Sequence, residues 1–139
     1  LFEKILVPFD ASEFSLRALE VAIDLAKKYE AELYTISIIH TPDFAFLSGE
    51  VDDVKAEGEA FFQEKLKAVE DLATAHGITV KNEIRVGHPA ETILNFASGK
   101  KIDLIVLGHR GTSAIKDFLL GSVAAKVMYY APCKVLLVR

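Results

Sequence analysis

The sequence predicts an α/β fold, a single doubly wound sheet of five parallel strands with helices on both faces. Three observations predict it. Five short apolar runs alternate with four longer segments of helical spacing, and the chain ends on an apolar run. Alternation of this kind argues for a parallel sheet covered on both sides. Three of the runs are almost continuously apolar, as strands buried on both faces should be.

The elements follow in order. The apolar runs are Ile5–Phe9, Leu33–Ile39, Ile78–Val86, Leu104–Leu107 and Val135–Val138. The third differs from the rest. Ile78, Val80, Ile84 and Val86 alternate with Thr79, Lys81, Glu83 and Arg85, the pattern of an edge strand with one wet face. The first helix is expected from about Glu13 to Tyr29. Its stripe is Phe14, Ala18, Val21, Ala22, Leu25, Ala26 and Tyr29, and Ser12 is its N-cap. The second is expected from about Asp53 to His76, with Phe61, Leu66, Val69, Leu72 and Ala73 inward and Gly77 in the left-handed position after it. The third starts near Pro89 and ends before Gly99. The fourth spans about Leu119 to Tyr130, with Leu120, Val123, Ala124, Val127 and Met128 inward, and Pro132 stops it. The connection Thr41–Asp52 is long for its type and carries Phe44, Phe46 and Leu47, so it is read as a lid, an interface or a loop folded onto the body.

Composition sets the outer limits. A chain of 139 residues is expected to form one domain, 1–139. A hydrophobic fraction of 51% and mean hydropathy of +0.27 supply a core, and 26% charged residues argue against disorder. No apolar run approaches the roughly 18 residues of a membrane span, and no leader pattern is visible, so the expectation is a cytoplasmic protein with no membrane partner. The single Cys133 excludes an internal disulfide framework. Net charge −4 and pI near 5.6 weigh against binding to polymeric nucleic acid. The charge is unevenly placed. Residues 41–71 hold nine acids against three lysines, whereas 108–126 carries Arg110, Lys116 and Lys126 against Asp117 alone. An anionic ligand would prefer the latter segment.

In an open parallel sheet, ligands bind beyond the carboxyl ends of the strands, where connections diverge to opposite faces. With strand order 3-2-1-4-5, that crevice lies between strands one and four. The loop after strand four reads Gly108-His109-Arg110-Gly111, then nine residues, then Gly121-Ser122. Glycines let backbone amides approach an anion. Free amides at the start of the fourth helix favour phosphate, Ser122 adds a hydroxyl, and Arg110 can supply a charge-assisted bond. The structural alternative is a turn glycine at each end and a serine cap. In the loop after strand one, Asp10 can accept bonds from ribose hydroxyls or an adenine amine, or serve the Ser12 turn.

These residues resemble the universal stress protein family, specifically its nucleotide-binding branch. The likeness rests on Lys4–Ser12, on Gly87-His88-Pro89, on Asp103–Gly108 and on Gly-x2-Gly-x9-Gly-Ser at 108–122. It extends over essentially the whole chain. The resemblance implies a Rossmann-like sheet of the adenine nucleotide alpha hydrolase-like type in order 3-2-1-4-5, binding of ATP (or AMP or ADP) with Mg²⁺, and a role in stress response. By motif position, Pro8 and Asp10 meet adenine and ribose, and Phe9 between them belongs to the site. Ile38 packs on the adenine, and Leu107 and Gly108 line the ribose side. Gly111, Gly121, Ser122 and Val123 hold the phosphates, with Arg110 at a variable position. The family often has Asp-Gly-Ser where this chain has Asp10-Ala11-Ser12.

The functional expectation is a nucleotide-dependent switch or regulator acting on a protein partner that the sequence does not name. The alternatives are a very slow ATPase and a nucleotide-free structural or partner-binding dimer. Asp10, on the ribose side, is poorly placed as a base at a terminal phosphate, so little hydrolysis is expected. Strand 134–138 lacks a protecting proline or inward charge, which invites pairing with a second copy; the resemblance implies the same homodimer. His40, His76, His88 and His109 are too scattered to argue a metal site, and solvent exposure is the favoured reading of His109. Cys133 is read as structural or idle. No Walker lysine follows strand one, and no acid ends strand three as a phosphoacceptor receiver would need.

Overall fold

The computed structural model describes residues 1–40, 48–111 and 119–139. Along the chain run β1 (Lys4–Pro8), α1 (Glu13–Tyr29), β2 (Glu32–Ile39), α2 (Ser48–Ala75), β3 (Val80–Val86), α3 (Pro89–Gly99), β4 (Leu104–Gly108), α4 (Ser122–Tyr130) and β5 (Lys134–Val138). The strands form one five-stranded sheet in the order β3-β2-β1-β4-β5, every pairing parallel. β1 is therefore central, with β2 and β4 diverging from it.

Alternation along the strands divides the core in two. Ile5, Val7 and Phe9 face one side with Leu33, Leu104 and Val106, where α1 and α2 pack through Ala18, Leu19, Ala22, Leu66 and Val69. Leu6 faces the other side with Tyr34, Ile36, Ile105 and Leu107, under Ile93 and Ala97 of α3 and Ala124 and Val127 of α4. β4 is buried at all five positions, whereas β3 and β5 are only partly covered, as edge strands are.

Local signals act as their chemistry requires. The Ser12 hydroxyl accepts from the Ser15 amide at 3.2 Å and caps α1. Gly77 takes φ +73, and the Ile78 amide then donates to the Ala73 carbonyl. Other expectations need correction. α2 begins at Ser48, not Asp53, so Ser48–Asp52 is helix; the remainder of the long connection, with Phe44, Phe46 and Leu47, lies outside the described residues. Phe62 is the buried phenylalanine of α2 at 7% exposure, and Phe61 is 48% exposed. The pair are adjacent, so a rotation of one residue, 100° around the helix, exchanges them. α4 begins at Ser122 rather than Leu119, and Leu120 and Met128 are exposed instead of inward. Tyr29 also lies outside the buried stripe of α1. Among the described residues no helix is long and apolar enough to cross a membrane.

Candidate functional site

The end of β1 is anchored before it turns. The Phe9 amide donates to the Ile36 carbonyl at 2.9 Å, and the buried Ser37 hydroxyl donates to the Phe9 carbonyl at 2.7 Å. Asp10 follows, with Oδ1 accepting from the Ser12 amide at 2.9 Å. This Asx turn directs the chain into α1. Ala11, between them, sits at φ +69, a left-handed conformation that a side chain disfavours. A glycine at this position would carry no such penalty.

The end of β4 closes on the same point from the other side. A β-carbon on Gly108 would lie 3.0 Å from the backbone carbonyl of Phe14 in the first turn of α1. A β-carbon on Gly111 would collide with Oδ2 of Asp10. One on Gly121 would come within 3.0 Å of the Arg110 Cα. The Gly121 amide donates to the His109 carbonyl at 3.0 Å, and the His109 amide donates to the Val138 carbonyl at 2.7 Å. The two ends of the 108–121 stretch thus touch, and the start of α4 is fixed beside the carboxyl end of β4. Residues 112–118, including Lys116 and Asp117, lie outside the described residues.

Gly121 caps α4 without a side-chain bond, and Ser122 is the first helical residue, not the cap. The first-turn amides and the positive end of the helix dipole are therefore directed at what lies before the helix. His109 is not solvent-exposed as the sequence led us to expect. It is buried to 6% exposure, its ring 6.1 Å from that of Phe14, and its backbone ties β4 to both β5 and α4. A polar residue in a glycine loop reads as wet, and only the fold places this one beneath the loop. The Arg110 guanidinium stands 4.8 Å from the centroid of the same Phe14 ring.

These loops enclose a cavity of about 660 Å³ at the carboxyl end of the sheet, a usual size for a small-molecule site. Pro8, Phe9 and Asp10 line it from the β1 loop, and Ile38 from β2. Leu107, Gly108, Arg110 and Gly111 line it from the β4 side, and Gly121, Ser122 and Val123 from the start of α4. All eleven residues singled out in the sequence are thus brought together. Sequence reasoning missed Phe61 and Phe62 of α2, Ile93 of α3 and His40. Helical spacing puts Phe61 on the buried face, yet it is exposed at the cavity's rim while Phe62 and Ile93 are buried beside it, and no local pattern reveals which residues border a cavity. Asp10 is the one carboxylate among the described lining residues, and Arg110 the one permanent cation. Cys133 lies elsewhere, before β5. Burial, followed by the charge of Asp103, pushes its thiol pKa up, which suits an inert thiol.

A family model described as the Universal stress protein family matches residues 1–139. The chain is similar to a universal stress protein of Methanocaldococcus jannaschii, MJ0531, at 39% identity over 145 residues, covering 100% of this chain and 83% of the relative. Among solved structures, it resembles the universal stress protein UspA from Lactobacillus plantarum with a TM-score of 0.87 and 29% identity, over 99% and 98% of the two chains. It also resembles a universal stress protein crystallised in complex with cAMP, with a TM-score of 0.76 and 30% identity, over 99% and 97%.

Proposed function

From the premise that this chain belongs to the universal stress protein family, we propose that it binds an adenine nucleotide, ATP with Mg²⁺ foremost, and acts as a nucleotide-dependent switch in the stress response. The observation that carries this reading is the convergence of Asp10 with Gly111 and Gly121-Ser122 on one cavity. The acid suits ribose and adenine donors. Glycines without β-carbons and the open first turn of α4 suit phosphate oxygens. Ile38 and Leu107 offer apolar surface for a base and sugar. The cAMP complex of a relative at 30% identity supports the same ligand class. Among the described residues no group of three or more His, Cys, Asp or Glu could hold a metal. Magnesium would therefore arrive on the phosphates, to which it adds charge neutralisation.

The same reading makes the protein a single cytoplasmic domain that works as a homodimer through β5. Leu136 on that edge is 39% exposed, and Met128, Tyr129 and Tyr130 of α4 are exposed nearby in sequence. A second copy pairing along β5 would cover the unpaired strand edge. Light scattering at micromolar concentration is expected to give twice the chain mass, and a monomer mass would refute the dimer.

Isothermal titration of nucleotide-free protein with ATP, AMP and GTP tests the ligand. Adenine nucleotides are expected to bind and GTP to bind less tightly. No heat with any of them would favour a purely structural dimer. Turnover well above the uncatalysed rate, lost on a phosphate-loop substitution, would favour an ATPase.

A further inference from the structure

The cavity has two chemically distinct sides. Asp10, Arg110 and Ser122 come from the loops after β1 and β4 and from the start of α4. The side built by β2, α2 and α3 is mostly apolar, with Ile36, Ile38, Phe61, Phe62 and Ile93. Phe61 differs from its neighbours there. Phe62 and Ile93 are buried, whereas Phe61 keeps 48% of its surface exposed. Core packing therefore does not account for an aromatic ring at this place. The ring is nevertheless braced. Phe62 meets it edge-on, with centroids 5.2 Å apart and planes at 73°, and the Lys65 ammonium stands 5.7 Å from its centroid. Beneath it, α2 is seated closely on the sheet. A β-carbon on Gly58 would lie 2.7 Å from Cγ1 of Ile39 at the end of β2, and 2.8 Å from its Cδ1 and Cγ2. Phe61 and Phe62 follow Gly58 by three and four residues, so they share its face one turn further on. The close approach that Gly58 allows is what brings both rings to the cavity.

We propose that Phe61 is a binding residue for the base of the nucleotide, its ring lying against the purine at the cavity's rim; this rests on the nucleotide reading above. The lining favours one orientation of such a ligand. Phosphates suit the open first turn of α4 and Arg110, and ribose hydroxyls suit Asp10. The base is then left to the β2–α2 side, where Ile38 and Phe61 are. A base has apolar faces and a π system, and stacking on an aromatic side chain is a general way of holding one. In the free protein the Phe61 ring meets water, and covering it with a base removes that apolar surface. A purine, with two fused rings, covers more of it than a pyrimidine.

The test titrates the full, nucleotide-free chain with AMP. In calorimetry Phe61→Ala is expected to lower the affinity about tenfold, and Phe61→Tyr, which keeps the ring, to stay within about twofold of the unaltered protein. The chain contains no tryptophan, so Phe61→Trp places a single indole reporter at the rim. Its emission is expected to change saturably with AMP, and it decides the matter should Phe61→Ala fail to fold. Affinity unchanged in Phe61→Ala, an equal loss in Phe61→Tyr, or an indole emission that ignores AMP while calorimetry detects binding would each overturn the contact and leave the nucleotide reading standing. Absence of AMP binding by the unaltered protein would overturn both.

Discussion

The Asp10 carboxylate occupies the space that a β-carbon on Gly111 would need, so the loops leaving β1 and β4 are in contact across the crevice. The substitution Gly111→Ala must displace Asp10 while leaving its charge in place. We expect ATP affinity to fall about tenfold, which is ~1.4 kcal/mol. Asp10→Ala is expected to weaken adenosine binding by a similar factor. In the double variant the losses should fall well short of additive, because residues in contact couple. Titration calorimetry on the four proteins checks this, and additive losses would show that the contact does not set the site.

Gly121→Ala introduces a methyl 3.0 Å from the Arg110 Cα, a backbone atom that cannot rotate aside. Arg110 and the start of α4 must then separate by a few tenths of an ångström. Overpacking of this kind costs roughly 1–3 kcal/mol. Urea denaturation should show that loss, and nucleotide affinity should fall with it as the helix start shifts. Unchanged stability would mean that the β4–α4 contact is slack.

Ala11 is held at φ +69 between Asp10 and Ser12. An L side chain in the left-handed region costs roughly 1–2 kcal/mol, and replacing Ala by Gly loosens the unfolded chain by roughly 0.4–1 kcal/mol. Ala11→Gly should therefore stabilise the protein by about 0.5–1 kcal/mol, opposite to the effect of the same change inside a helix. Thermal denaturation of the two proteins gives the sign directly.

The folded state holds the Cys133 proton more tightly than the unfolded chain, because burial and then Asp103 disfavour the thiolate. As pH rises past the ordinary thiol value of 9.0, the unfolded chain ionises first. This contribution to stability is thus complete below that pH and declines above it. Cys133→Ser should flatten the alkaline decline between about pH 8 and 10, where free thiols titrate. Slow alkylation of the native protein by iodoacetamide at neutral pH is the companion expectation.

Much of the fold was legible because its signals are local. The near-continuous apolar runs at Ile5–Val7 and Leu104–Leu107 mark strands buried on both faces, and Ser12 and Gly77 cap and end helices through bonds to immediate neighbours. Errors arose where neighbours in sequence compete for one position. Phe61 and Phe62 are equally apolar, and only the seating of α2 on the sheet chooses Phe62. Spacing puts Leu120 and Met128 inward, yet both are exposed.

The sequence by itself determined the order of elements, the parallel sheet and the loops flanking the crevice, since periodicity and turn chemistry act over a few residues. The spacing of Gly108, Gly111 and Gly121 could be read, but not what each glycine touches. Tertiary structure decided that Gly108 meets the Phe14 carbonyl, Gly111 the Asp10 carboxylate and Gly121 the Arg110 backbone. It also decided that His109 is buried and that His40 meets His88. Those relationships join residues up to 101 positions apart, as between Asp10 and Gly111. They are set by close packing of strands and helices around β1, which no local pattern encodes.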